Sequence, residues 1–140
     1  MAAFNKFQIF TRDLAAGVHN FTSHTLKAAF TNTAPVNTDQ TLSNITQIAA
    51  SGGYVSGGVT LDSVSLTTSG GVAKLTIADE VFTATGAVGP FRYVVLYNDT
   101  PTSPVDPLIG WYDYGQSITL NTDESLTIDF DGTNGVLTIT

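Results

Sequence analysis

The first part of the chain carries apolar side chains at helical intervals. Steps of three and four residues separate Phe4, Phe7, Phe10 and Leu14. Side chains at this spacing share one face of a helix. Gly17 comes next, and glycine commonly adopts the left-handed conformation that ends a helix. The pattern therefore predicts an N-terminal amphipathic helix over residues 4–16.

Beyond the helix the apolar period changes to two, which is typical of β-strands. Residues 24–31 alternate with Leu26 and Ala28 on one face, so we predict a strand with one buried face. Residues 91–97 are apolar on both sides. Their alternation places Phe91, Tyr93, Val95 and Tyr97 on one face and Val94 and Leu96 on the other, and burial on both faces indicates a central strand.

Turn residues divide the rest of the chain into short apolar runs. Ser69-Gly70-Gly71 predicts a turn between strands in residues 59–68 and 72–79. Further strands are predicted at residues 81–85, 108–114, 117–120, 125–130 and 136–140. Seven or eight such strands indicate a mainly β protein: an antiparallel β-sandwich or barrel, with a jelly-roll-like arrangement as one form. Residues 1–140 are expected to form a single domain.

Two other segments interrupt the strands. Leu42, Ile45 and Ile48 have helical spacing over a short distance, so we predict a single helical turn there. Residues 51–58 contain four glycines and two serines, which is typical of a flexible loop.

Charge and cysteine content exclude several classes of function. Five basic against twelve acidic residues give a net charge of −7, which disfavours nucleic acid and anionic membrane surfaces as partners. There is no cysteine, so disulfides, thiolate catalysis and thiolate metal sites are excluded. No signal peptide or membrane-spanning run is predicted, which indicates folding in a cytoplasm.

Few residues suggest catalysis or metal binding. His19 and His24 lack a companion carboxylate pattern, so we interpret both as surface or loop histidines. Residues 129–135, Asp-Phe-Asp-Gly-Thr-Asn-Gly, resemble part of a calcium loop but lack its later bidentate Glu. Turn chemistry between two apolar runs favours a hairpin instead. We predict no catalytic residue, no metal site and no cofactor.

The aromatic cluster at residues 111–114 admits two interpretations. Trp111, Tyr112 and Tyr114 beside Asp113 could form a platform on which a sugar stacks. Alternatively, some of these rings belong to the core and the others contact a neighbouring subunit, which we favour. The seven acids after Arg92 mostly occupy turn positions, where Asp is favoured by its backbone hydrogen bonds.

Several sequence blocks resemble a family of small virion structural proteins of tailed bacteriophages. In the front half these are Gly17-Val-His-Asn20, Thr25-Leu-Lys-Ala28, Phe30-Thr-Asn-Thr-Ala-Pro35 and Asn44-Ile-Thr-Gln-Ile48. In the back half they are Gly89-Pro-Phe-Arg-Tyr-Val-Val-Leu-Tyr-Asn-Asp-Thr100, Pro107-Leu-Ile-Gly-Trp-Tyr-Asp-Tyr-Gly115, Asp129-Phe-Asp-Gly132 and Gly135-Val-Leu-Thr138. The resemblance implies a structural protein of the phage head and names no catalytic residue.

The resemblance and the charge together predict a capsid decoration or cement protein on the exterior of the virion. An acidic protein inside the shell would be repelled by packed DNA. The expected partners are the major capsid protein and other copies of the chain, in a dimer or trimer. Tyr54, Trp111 and Tyr112 are the expected interface anchors, since Tyr and Trp dominate interface hot spots. A tail or fibre module that binds host-surface glycan is the alternative, and a hydrolytic enzyme is the third choice.

Overall fold

The computed structural model describes residues 2–140, which form antiparallel sheets with one helix near the N-terminus. The elements are β1 (Phe4–Lys6), α1 (Gln8–Ala15), β2 (Leu26–Thr31), β3 (Val59–Thr60), β4 (Ser65–Ser69), β5 (Val72–Thr76), β6 (Glu80–Thr83), β7 (Val88–Asn98), β8 (Leu108–Leu120), β9 (Ser125–Ile128) and β10 (Leu137–Ile139). A 3-10 turn at Leu42–Asn44 confirms the predicted helical turn. The predicted mainly β class is confirmed as well.

Three sheets build a sandwich-like arrangement. The large sheet has the strand order β1-β8-β7-β2-β3, and the two smaller sheets have the orders β10-β5-β4 and β6-β9. The main core combines residues of the large sheet with residues of the smaller ones: Phe30, Phe91, Val94, Leu96, Leu75, Phe82, Leu126 and Ile128. Apolar side chains from one face of each sheet therefore pack together, as in other sandwiches.

The opposite face of the large sheet is covered as well. Ala29, Val95 and Tyr97 lie in a second buried cluster with Phe7 and Ile45. The prediction of one buried face for β2 is therefore wrong, because this second layer removes its other face from water. The prediction that β7 is a central strand is confirmed, since it pairs with β8 on one side and β2 on the other.

The N-terminal helix is shorter than predicted. It begins at Gln8 rather than at residue 4, because Phe4–Lys6 form a strand that pairs antiparallel with β8, Phe4 opposite Tyr112. Phe7 and Phe10 also enter different clusters, so the predicted single apolar face is wrong. Gly17 has a φ of +78° after the helix, as its left-handed role predicted.

Irregular pairing between β7 and β8 places Phe91 on the other face of the sheet from the one predicted. The register shifts between Phe91 and Tyr93, and Phe91 joins Val94 in the main core while Val95 joins the second cluster. The prediction that Phe91 shares a face with Val95 is therefore wrong. The predicted strands at 108–114 and 117–120 are one strand, β8, in which Gly115 has a φ of +98°.

The turn at residues 69–71 joins β4 and β5 in the predicted hairpin, with Ser69 opposite Val72. The region predicted as one strand at residues 59–68 is divided, because β3 pairs with β2 whereas β4 pairs with β5. Residues 129–135 do not close a hairpin, since β9 pairs with β6 and β10 pairs with β5. That segment instead connects the two smaller sheets.

Candidate binding cleft

A cleft of about 270 Å³ lies at the side of the sandwich between β8 and β9. Most of its lining is apolar: Ala2, Phe91, Val94, Tyr112, Tyr114, Leu126, Thr127, Ile128 and Asp129. The volume lies just below the roughly 300–1,000 Å³ typical of pockets for small molecules. The cleft is therefore suited to a few side chains of a partner or to a single small ring.

Two tyrosines of β8 form one wall of the cleft. Tyr112 is half-buried, and its ring lies between those of Phe4 and Phe130, with centroid distances of 5.7 and 6.0 Å. Burial, with a smaller contribution from Asp131, raises the pKa of Tyr112 to about 12, so its hydroxyl remains protonated at neutral pH. Tyr114 is 54% exposed and forms the outer part of the wall.

An ion pair supports β8 next to this wall. Arg92 donates to both carboxylate oxygens of Asp113, from Nε at 2.8 Å and from Nη2 at 3.1 Å. The Gly115 N–H donates to the same carboxylate at 2.8 Å. Arg92 and this N–H hold the pKa of Asp113 below its usual range. Asp113 thus joins β7 to the irregular part of β8 that carries Tyr114.

The opposite wall is built from β9. Four consecutive residues, 126–129, line the cleft. Successive side chains of a strand point to opposite faces, so a run of consecutive lining residues means that the strand edge borders the cleft. β9 pairs with β6 alone among the strands of residues 2–140, which leaves this edge without a strand partner.

The three predicted interface anchors lie in three different environments. Tyr112 lines the cleft, whereas Trp111 points to the opposite face of β8 and packs on Phe7 at a centroid distance of 4.5 Å. Strand alternation separates these neighbours, so residues 111–114 do not form a single aromatic platform. Tyr54 is 2% exposed and is not available to a partner in this conformation.

Tyr54 instead anchors the glycine-rich segment to the core. Its hydroxyl accepts the Phe30 N–H at 3.0 Å and donates to Gln47 Oε1 at 2.8 Å. Its ring stacks on Phe30 at 5.1 Å. Residues 51–58 are thus attached through their middle, whereas their composition predicted a free loop.

Three residues that line the cleft were not predicted as contacts from the sequence. Tyr114 was noted as aromatic but was not selected as an anchor, and Leu126 and Ile128 were assigned to a hairpin. The spacing of Tyr112 and Tyr114 was an available signal, since residues two apart share a face of a strand. The proximity of β9 to β8 had no signal in the sequence, because the two strands do not pair.

The two histidines lie together away from the cleft. The Asn98 amide nitrogen contacts Nδ1 of His19 at 3.1 Å and Nδ1 of His24 at 2.9 Å. His19 is 7% exposed, and burial lowers its pKa to about 4. Both histidines lie in the loop between α1 and β2, as predicted, but His19 is buried there rather than at the surface, whereas His24 is partly exposed.

The acidic turn at residues 129–135 satisfies its own polar groups. Asp131 Oδ1 accepts the N–H groups of Thr133 and Asn134 at 2.9 and 2.8 Å, and these bonds lower its pKa. Within residues 2–140, no group of three or more His, Asp or Glu side chains could hold a metal ion.

A second recess, of about 290 Å³, lies between the loop after β2 and the start of β7. Its lining is half polar and includes Asn32, Gln47 and Pro90. This recess lacks the aromatic wall and the open strand edge of the cleft between β8 and β9. We therefore take the cleft between β8 and β9 as the candidate site. Over residues 2–140, α1 is the single α-helix, and its eight residues are too few to cross a membrane.

Comparisons with known proteins add no relative to this description. No protein-family model matches the sequence, and neither the curated proteins nor the solved structures include a significant match.

Proposed function

We propose that the protein is a structural component of a bacteriophage virion, a decoration or cement protein that binds the exterior of the head. The observation that carries the proposal is the cleft between β8 and β9. An apolar recess with an aromatic wall and an open strand edge is suited to docking on another protein.

The charge distribution supports an exterior position. The chain has no Lys, Arg or His after Arg92, while seven acids follow it. The cleft is built largely from this segment, so the candidate contact surface is poor in the bases that bind phosphate. Attachment to the outer, protein surface of a shell is compatible with this charge, whereas contact with packed DNA is not.

Its work in this proposal is mechanical rather than catalytic. Asp129 is the single acid that lines the cleft within residues 2–140, whereas paired-carboxylate hydrolysis of a glycan requires two. Many copies, each bound by modest contacts to the major capsid protein, would oppose the internal pressure of packaged DNA. Association into dimers or trimers would raise the effective concentration of each contact.

The test uses virus particles that lack this chain. We expect such particles to lose resistance to heat or low salt, and added protein to restore it while occupying sites of shell symmetry. The Tyr114→Ala variant should restore resistance poorly, because it removes the exposed half of the aromatic wall. Val81→Ala is the matched control, since Val81 is similarly exposed, at 56%, and does not line the cleft.

A glycan-binding tail or fibre module is the second candidate. The observation in its favour is that Tyr112 and Tyr114 line the same cleft as Asp129, which offers aromatic faces and a carboxylate to one sugar ring. Binding to a glycan array that Tyr114→Ala abolishes would support it. Particles that are equally tough without the protein, with a few copies at the tail, would contradict the cement proposal.

A further inference from the structure

We infer that the free edge of β9 accepts an extended strand from a partner polypeptide, which adds next to β9 and places alternate side chains in the cleft. The inference deepens the proposed function and rests on it for the partner's identity, since it describes how the same cleft recognises a protein. It depends on three features: the backbone edge, the apolar walls and the charge at the two ends of the strand.

Within residues 2–140, the backbone of β9 has no strand partner on the side away from β6. Toward β6, Glu124 O accepts the Ala84 N–H at 2.8 Å, and after the strand the Phe130 N–H donates to Asp79 Oδ1 at 2.9 Å. Backbone groups alternate in direction along an antiparallel strand. The backbone N–H and C=O groups of Leu126 and Ile128 therefore point toward β6, and those of Thr127 point toward the open edge.

The cleft provides room for the side chains of an added strand. Phe91 and Val94 form its floor, and Tyr112 and Tyr114 form the wall opposite β9. An incoming strand at the usual spacing of about 4.8 Å from β9 would run along the β9 side of the cleft. Apolar residues at alternate positions would enter the cleft, while the residues between them would face water.

Charge at the ends of β9 selects the partner. Asp123 and Glu124 precede the strand, and Asp129 and Asp131 follow it. Arg92 is paired with Asp113, and Lys74 donates to the Thr133 carbonyl at 2.9 Å near Asp131. The complementary strand carries Lys or Arg at both ends.

A second copy of this chain is a poor occupant of the edge. Antiparallel pairing of two β9 strands would place Asp123 and Glu124 of each copy against Asp129 and Asp131 of the other. Like charges directly opposite each other destabilise a strand pair. The partner is therefore a different polypeptide with basic ends to its strand.

The test uses the whole protein and a capped seven-residue peptide with Lys at both ends and alternating Val and Thr between them. We expect NMR shift changes at β8 and β9, and amide exchange at Thr127 slowed by about tenfold or more when the peptide is bound. A peptide of equal charge with Pro at alternate positions is the control, because Pro cannot supply the N–H groups of a strand. Equal binding of both peptides, or no protection at Thr127, would overturn the inference.

Two sets of variants separate the backbone and charge contributions. Thr127→Pro removes the outward N–H and should weaken peptide binding by about tenfold, whereas Thr127→Val keeps it and should bind normally. Asp123→Asn with Asp129→Asn changes two exposed carboxylates, and should weaken binding of the Lys-ended peptide in low salt without changing the melting temperature. The inference is wrong if a Glu-ended peptide binds as tightly as the Lys-ended one.

The proposed function and this inference can fail separately. If the protein binds the peptide at β9 but has no affinity for phage heads, the strand site is supported and the cement role is wrong. If Thr127→Pro keeps the melting temperature of the wild type and attaches to heads as tightly, the cement role is supported and the strand site is wrong.

Discussion

At the scale of single residues, one hydroxyl group joins the glycine-rich segment to β2. The Tyr54 hydroxyl accepts the buried Phe30 N–H and donates to Gln47 Oε1, which also accepts the Gly57 N–H. If the hydroxyl is removed, Gln47 Oε1 still accepts the Gly57 N–H, but the Phe30 N–H loses its hydrogen bond to Tyr54. The contribution of Tyr54 is therefore a hydrogen bond in the core, in addition to its packing.

We expect Tyr54→Phe to lower the free energy of unfolding by about 1–3 kcal/mol, the usual effect of leaving a buried donor unpaired. Urea unfolding followed by fluorescence measures it. Tyr114→Phe is the matched control, because Tyr114 is 54% exposed and its stability effect should be close to zero. Equal stability of Tyr54→Phe and the wild type would show that water replaces the lost bond.

Two glycines with nearly the same φ differ in the space that surrounds them. Substituting each with Ala therefore distinguishes the effect of backbone strain from the effect of a steric overlap. Gly17 has a φ of +78° and an added Cβ would meet nothing within 4 Å. Gly58 has a φ of +79°, but a Cβ there would overlap the Ala28 carbonyl of β2. The close approach of this segment to β2 thus requires glycine at residue 58.

We expect Gly17→Ala to destabilise the protein by about 1–2 kcal/mol, the usual effect of a left-handed conformation on an L-residue. Gly58→Ala should destabilise it by clearly more, because β3 must also move away from β2. Thermal unfolding of the two variants tests the difference. Similar melting temperatures for both would contradict the predicted overlap.

At the scale of elements, the N-terminal segment is held to the large sheet by a strand and a helix in succession. β1 pairs with β8, and the Phe7 N–H then donates to the Ile109 carbonyl at 3.2 Å. Phe7 is fully buried in the second cluster, while Phe10 is buried in the main core. The segment therefore links the two clusters around the edge of the sheet.

Phe7→Ala should lower the free energy of unfolding by about 3–5 kcal/mol, because it removes a buried ring and leaves a cavity beside Trp111. Leu14→Ala should have a smaller effect, since Leu14 is partly buried. Gln8→Ala, an exposed neighbour, is the control. If Phe7→Ala melts within a degree of the wild type, the segment is not docked on the sheet in solution.

At the scale of the whole molecule, acid stability depends on a histidine held neutral in the interior. The Asn20 N–H and the Asn98 amide both approach Nδ1 of His24, and the same amide approaches Nδ1 of His19. The Asn98 amide nitrogen is a donor, so its contact requires Nδ1 of His19 to be an unprotonated acceptor. Protonation of His19 at Nδ1 would place a donor against this donor.

Stability should therefore fall as the pH falls from about 6.5 toward 4. The folded pKa of His19 is about 4, below the usual 6.5. The unfolded chain thus binds more protons in this window, and the loss amounts to about 3 kcal/mol. Above pH 6.5 the contribution of His19 is complete, because the ring is neutral in both states.

Urea unfolding at pH 7 and pH 4.5 measures this loss, and the difference between wild type and His19→Gln isolates it from the carboxylates that both proteins share. His24→Gln is the control, which should retain most of the pH dependence because His19 is still present. An equal loss of stability in His19→Gln and the wild type would contradict the assignment.

The sequence by itself determined the β class and several of the strands. Alternating apolar residues predicted the central strand β7, and two consecutive glycines predicted the β4–β5 hairpin. Both follow from local properties, since side-chain period and backbone conformation act within a few residues. Tyr112 was identified as a candidate contact from its residue type, since Tyr and Trp dominate interface hot spots.

Only the tertiary structure decided which strands pair and which surfaces remain open. Phe4 lies on a strand rather than in the helix because β8 offers it an edge, and β9 pairs with β6 rather than with β10. Tyr54 is in the core because Phe30, distant in sequence, stacks on its ring. These outcomes depend on contacts between distant segments, which a local pattern of apolar and polar residues does not encode.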